Sequence, residues 1–160
     1  MRVSRVDFIR ELGYPVAATD ERLYSALMLQ PRIIGVVTLL GVALQSGTLF
    51  SALALVLFWS ALVPTGNPFD AIYNVVVARR RGLERVAPAP APRRFAMTMA
   101  ATVAFAVGVG LLANIRVVAW PFEALLVVAV AGVVFANRCA GATLYHAVRR
   151  RLSTLRRAVA

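Results

Sequence analysis

Apolar residues along this chain fall into long blocks rather than into a short alternation. Segments 33–69, 95–115 and 124–137 contain no charged residue. Runs of that length predict helices surrounded by lipid, because a crossing takes about 20 apolar residues. Gln45, Ser46, Gly47 and Thr48 interrupt the first block and predict a turn between two limbs. Each limb is then about 16 residues, or roughly 24 Å at helical rise, against a hydrocarbon core of roughly 30 Å. Three things meet the shortfall: local thinning, snorkelling of Arg32, or continuation of the preceding helix through Pro31. A re-entrant hairpin that does not cross is the alternative. The second hairpin starts with a 20-residue limb over 95–114. A short turn carrying Arg116, Trp120 and Glu123 follows, with Pro121 in the first turn of a limb that ends near Asn137.

The polar stretches between blocks have helical periodicity of their own. Val3, Val6, Ile9 and Leu12 share one face of a short helix, with Ser4 and Asp7 at capping-box spacing and Gly13 as its stop. A second short helix is expected to start after Thr19 or Asp20 and to meet Pro31. In the middle of the chain Asn67 caps a helix with Phe69, Ile72, Tyr73 and Val76 on one face, Arg79 to Arg81 at its end and Gly82 as the stop. The alternating prolines of 88–92 predict a stiff, non-helical polyproline II spacer. In the tail Leu144, Val148, Leu152 and Leu155 face away from a row of arginines. The expected fold is all-α, a polytopic membrane protein of four transmembrane helices in two hairpins. Its expected units are an N-terminal arm (1–30), a first hairpin (31–63), a basic interfacial segment (64–94), a second hairpin (95–138) and a basic amphipathic tail (139–160).

Composition sharpens this picture. The chain has 160 residues, 60% of them apolar, more than a soluble core of this size can bury. All eighteen basic residues are arginines, against seven acids, for a net charge of +11. A charge of that size raises nucleic acid as a partner, but its distribution argues for topology, because the arginines flank the apolar blocks. The positive-inside rule then places both termini and the middle segment in the cytoplasm of a bacterial inner membrane. Arg79, Arg80, Arg81, Arg93, Arg94, Arg149, Arg150 and Arg151 are expected at the headgroups of an anionic leaflet, and no nucleic acid is expected. No apolar segment follows the first residues, so no cleaved leader is expected. The lone Cys139 excludes an intrachain disulfide.

Small residues recur every fourth position at Ala96, Ala100, Ala104 and Gly108, and again at Gly132, Ala136 and Ala140. Such stripes let helix backbones approach in lipid, so the last two crossings are expected to pack on each other. Candidate chemistry is sparse. Asp70 with Asn67 and Tyr73 forms the densest polar group, read as a helix cap. Cys139 beside Arg138 is a candidate thiol nucleophile, and His146 a candidate ligand for a cofactor; no metal site, cofactor or catalytic constellation is indicated. No ionisable residue is expected deep in the membrane.

The stretches 67–74 (NPFDAIYN) and 88–96 (PAPAPRRFA), and Cys139-x-Gly141 followed by Leu144 and Tyr145, resemble the bacterial domain-of-unknown-function family 4395 over roughly residues 31–148. The resemblance implies a small four-helix membrane protein, in a family some of whose members accompany thioredoxin- and rhodanese-type sulfur proteins. Members often carry a C-x-G-C pair where this chain reads Cys139, Ala140, Gly141 and Ala142, so the second thiol is missing here. Three functions remain on these grounds. The first is an accessory or scaffolding subunit that packs on other membrane subunits or on itself. The second is a sulfur- or thiol-transfer module using Cys139, and the third a small-solute channel or transporter.

Overall fold

The computed structural model describes residues 3–15, 21–81 and 85–159, with the side chains at 21, 22, 81 and 156–159 left out. Helix α1 (Arg5–Glu11) starts where the backbone N–H of Asp7 donates to the Ser4 hydroxyl at 3.1 Å, and it ends ahead of Gly13 at φ +89°. The expected start after Thr19 or Asp20 and the stop at Gly82 lie outside the described residues. Helix α2 (Glu21–Leu44) runs through Pro31 without a break. The short helix expected before Pro31 and the first crossing are therefore one element. Proline removes one backbone bond and bends a helix, yet Leu27, Met28 and Ile34 on both sides of it are buried, so packing holds the two parts in line. This lengthens the short limb.

Gln45, at φ +46°, turns the chain into α3 (Gly47–Leu62), whose N-cap is Ser46. A 3-10 turn (Pro64–Gly66) leads to α4 (Pro68–Tyr73), a π-helical segment (Asn74–Ala78) and α5 (Arg79–Arg81). Helix α6 (Ala91–Leu112) begins inside the proline run, contrary to the expectation that 88–92 stays non-helical. Pro92 sits in its first turn, where a missing N–H costs nothing. Helix α7 (Arg116–Ala136) likewise starts earlier than expected and holds Pro121 inside it. It ends at Asn137, φ +54°, whose side-chain oxygen accepts from Tyr24 Oη at 2.7 Å and whose NH2 donates to the Val3 carbonyl at 3.0 Å. Helix α8 (Ala140–Val159) completes an all-helical chain, with no strand among the described residues.

Helices α2, α3, α6 and α7 form a ring in which each touches the next, and α3 against α6 is the most extensive pair. Backbone approach explains that pair. A Cβ on Gly108 would stand 2.5 Å from Ser51 Oγ, and one on Gly47 would stand 2.8 Å from the Gly108 carbonyl, so both positions require glycine. Phe50, Leu53, Leu57, Ala101, Ala104, Val107 and Leu126 fill the ring. Large apolar side chains also point outward, among them Leu40, Leu55, Trp59, Phe105, Val128 and Phe135. Three helices, over Leu23–Leu44, Ala91–Leu112 and Arg116–Ala136, are long and apolar enough to cross a membrane. An apolar exterior around a bundle of such helices is the arrangement of a membrane protein.

The two hairpin turns lie at one end of the ring, where Gln45 Nε2 donates to both Glu123 carboxylate oxygens at 3.3 Å and Trp120 Nε1 donates to Gln45 Oε1 at 3.4 Å. Helix α1, α4 and the start of α8 gather at the other, basic end. There Phe8, Ile9, Leu12, Tyr14, Tyr24, Leu27, Met28 and Ala142 make a second apolar cluster.

Candidate functional site

Three other segments converge on Arg93 at the basic end. Asn67 caps α4 by accepting from the Phe69 amide at 3.0 Å, and its own NH2 donates to Asp70 Oδ2 at 3.1 Å, which fixes the Asp70 carboxylate. Arg93, in the first turn of α6, meets that carboxylate with both arms: Nη1 to Oδ2 at 3.0 Å and Nη2 to Oδ1 at 2.7 Å. Nη1 also donates to Tyr14 Oη at 2.7 Å, and Nη2 to Gln30 Oε1 at 2.5 Å. Arg93 is 4% exposed and Asp70 8%. The pair therefore gives up hydration that only two-armed geometry and extra hydrogen bonds offset. Tyr14 passes its own proton toward the Ala87 carbonyl at 3.3 Å, and burial raises its phenol above the ordinary value despite Arg93 beside it.

This corrects two expectations. Arg93, expected at the headgroups, is buried in an ion pair. Asp70 is more than a helix cap, because it holds that arginine. Sequence reading missed the network since its members stand 23, 63 and 79 positions from Arg93. One signal was available: Asp70 is one of two acids between residues 22 and 122.

Other expected site residues are scattered. Arg94 donates to the Ala61 carbonyl at 2.7 Å, closing the end of α3. Arg79, Arg80, Arg149, Arg150 and Arg151 are exposed, and the Arg81 side chain lies outside the described residues. The first stripe divides. Ala104 and Gly108 are buried toward α3, while Ala96 and Ala100 are half-buried and line a cavity. Gly141 of α8 packs on that stripe so closely that a Cβ there would stand 2.6 Å from Ala96 Cα. In the second stripe Ala136 is half-buried and Ala140 exposed, and a Cβ on Gly132 would meet one atom, the Arg138 carbonyl oxygen at 3.7 Å.

Cys139 precedes α8, and the Gly141 and Ala142 amides at the start of that helix act to lower its thiol pKa. Helix amides favour a thiolate, but burial is the larger effect and raises the thiol above its ordinary value, with Glu11 adding to the rise. His146 Nε2 lies 2.9 Å from the Glu11 carbonyl, and its ring stands edge-on to Tyr145. Thr143 hydrogen-bonds the Glu11 carboxylate next to it. His146 thus ties α8 to the arm, and no group of metal-ligating side chains is found among the described residues.

The sequence model of a family described as "Domain of unknown function (DUF4395)" matches residues 26–150. No curated protein and no solved structure matches the chain.

Proposed function

The chain belongs to the DUF4395 family, and from that premise we propose that it is a four-crossing protein of the bacterial inner membrane that serves as an accessory or scaffolding subunit. In this reading α2, α3, α6 and α7 all cross as two hairpins, although α3 has 16 residues. The arm, the middle segment and the tail lie on the cytoplasmic side, where exposed Arg149 to Arg151 meet anionic headgroups.

One observation carries the accessory role. Of the 21 residues of α7, Ala119, Glu123 and Leu126 alone are buried, and a Cβ on Gly132 would meet one atom, the Arg138 carbonyl oxygen, at an ordinary contact distance of 3.7 Å. A helix so lightly covered by its own chain, with room at a small residue, suits a partner helix or a second copy. Purification in mild detergent with mass spectrometry of what accompanies the chain tests it. Gly132→Leu should release the partner and leave helical content unchanged. A monomer that carries nothing before or after the substitution would sink the proposal. Reporter fusions at Gly47, Ala87 and Ala160 test the crossings: periplasm for the first and cytoplasm for the others.

A thiol-transfer role for Cys139 is the second reading, supported by the Gly141 and Ala142 amides, which act to lower its pKa. The raised pKa weighs against it.

A further inference from the structure

The basic half of the ring is hollow. A cavity of about 200 Å³ lies between α2, α6, α7 and the first turn of α8. Ile34, Ala100, Val103, Leu126 and Val130 give it apolar walls, while Gln30, Arg93 and Cys139 bring polar atoms to one end. Met99 and Leu125, both exposed, stand on its lining and open it toward the apolar exterior.

The polar end defines what fits. An arginine only donates, so Gln30 must turn its oxygen to Arg93 Nη2. That fixes the amide and leaves the Gln30 NH2, on a side chain 5% exposed, with no acceptor among the described residues. That NH2 is not sealed off, since Thr38 Oγ1 is the buried side-chain polar atom left without a partner among the described residues; it is open to the cavity that Gln30 lines, where a ligand oxygen would gain a hydrogen bond from it. The ligand group is uncharged, because the charge of Arg93 is already matched by both oxygens of Asp70. Next to Cys139 of that lining, Arg138 is exposed, giving positive charge close to an apolar slot.

A hydrocarbon chain with a neutral carbonyl at its head and an anionic group just beyond matches all of these features. We propose that the cavity holds one acyl chain of an anionic membrane glycerolipid, with the ester carbonyl accepting from the Gln30 NH2. The site is independent of any protein partner and goes beyond the accessory role.

The test uses the full chain in vesicles of phosphatidylglycerol carrying a photoreactive diazirine in one acyl chain. After irradiation, cross-links are mapped by mass spectrometry. Links should form on Val103, Leu126 or Val130 in addition to outward residues such as Leu40 and Val128. Ala100→Phe, which fills the slot, should remove the wall links and spare the outward ones. Gln30→Glu keeps an oxygen for Arg93 but removes the NH2, and should lower the wall links about fivefold, the effect of losing one hydrogen bond. Circular dichroism checks that each variant folds, and Val103→Phe replaces Ala100→Phe if that variant does not. Absent wall links, wall links that persist when the slot is filled, or equal labelling by a diether lipid lacking the carbonyl would each overturn the proposal. So would displacement of the lipid by an equimolar alkyl quinone, which would assign the slot to a ketone ligand instead.

Discussion

The two ends of the bundle are closed by different physics. At the turn end backbone meets backbone, through Gly47 and Gly108, and among the described residues the buried Glu123 has only the neutral amide of Gln45, at 3.3 Å. At the basic end the Arg93 guanidinium gathers Tyr14, Gln30 and Asp70 from three other segments through Nη1 and Nη2. The difference shows where each end is vulnerable. Shape is everything at one, and removal of a single charge undoes the other.

The largest expected effect is therefore at Arg93. Arg93→Met leaves Asp70 buried without its partner and should cost about 3–5 kcal/mol in detergent unfolding. Adding Asp70→Leu should restore most of that loss, since replacing both charges removes the stranded one. A single variant as stable as the parent would erase the contrast between the ends. Next comes Gly108→Val, which drives a side chain into Ser51 and should cost about 1–3 kcal/mol. The same change at Gly132 should cost less, under about 0.5 kcal/mol, because a Cβ there meets its nearest atom at an ordinary 3.7 Å. Equal costs would mean that the α3–α6 contact gives way easily. Glu123→Gln should be smaller still, about 1 kcal/mol or less, as one weak hydrogen bond is exchanged for another. The smallest effect concerns Cys139. Its thiol is raised by burial, so at neutral pH less thiolate is present than in an exposed cysteine. Maleimide labelling in micelles should be slow and should quicken as pH climbs through the raised value. Fast labelling at pH 7 would favour the thiol-transfer reading. The stability linkage has the same sign: the neutral thiol is the favoured folded form, so its contribution falls as pH rises above the unfolded pKa.

Hydropathy alone located the apolar helices, because lipid-facing residues must be apolar whatever their neighbours. Helix ends were less legible. Pro31, Pro92 and Pro121 each suggested a boundary, since the lost hydrogen bond is local, while the packing that carries α2 and α7 past their prolines is not. The stripe from Ala96 to Gly108 marked close approach but did not say to which helix. Gly108 meets α3, and Ala96 meets Gly141 of α8. Arg93 was hidden by its position, because an arginine at the start of an apolar helix looks like a headgroup contact. Its neighbour Arg94 is exposed at the same boundary, and nothing local distinguishes the two. What does so is Asp70, brought alongside only by the folded chain.

The order in which the ribosome delivers these residues adds a final consequence. Tyr14, Gln30 and Asp70 all emerge before Arg93, so the arm, α2 and α4 are made before the cation that joins them. Only when α6 enters does the guanidinium arrive and draw the arm, α2 and α4 together. A chain that stops ahead of residue 93 thus lacks the cation its Asp70 carboxylate meets in the fold.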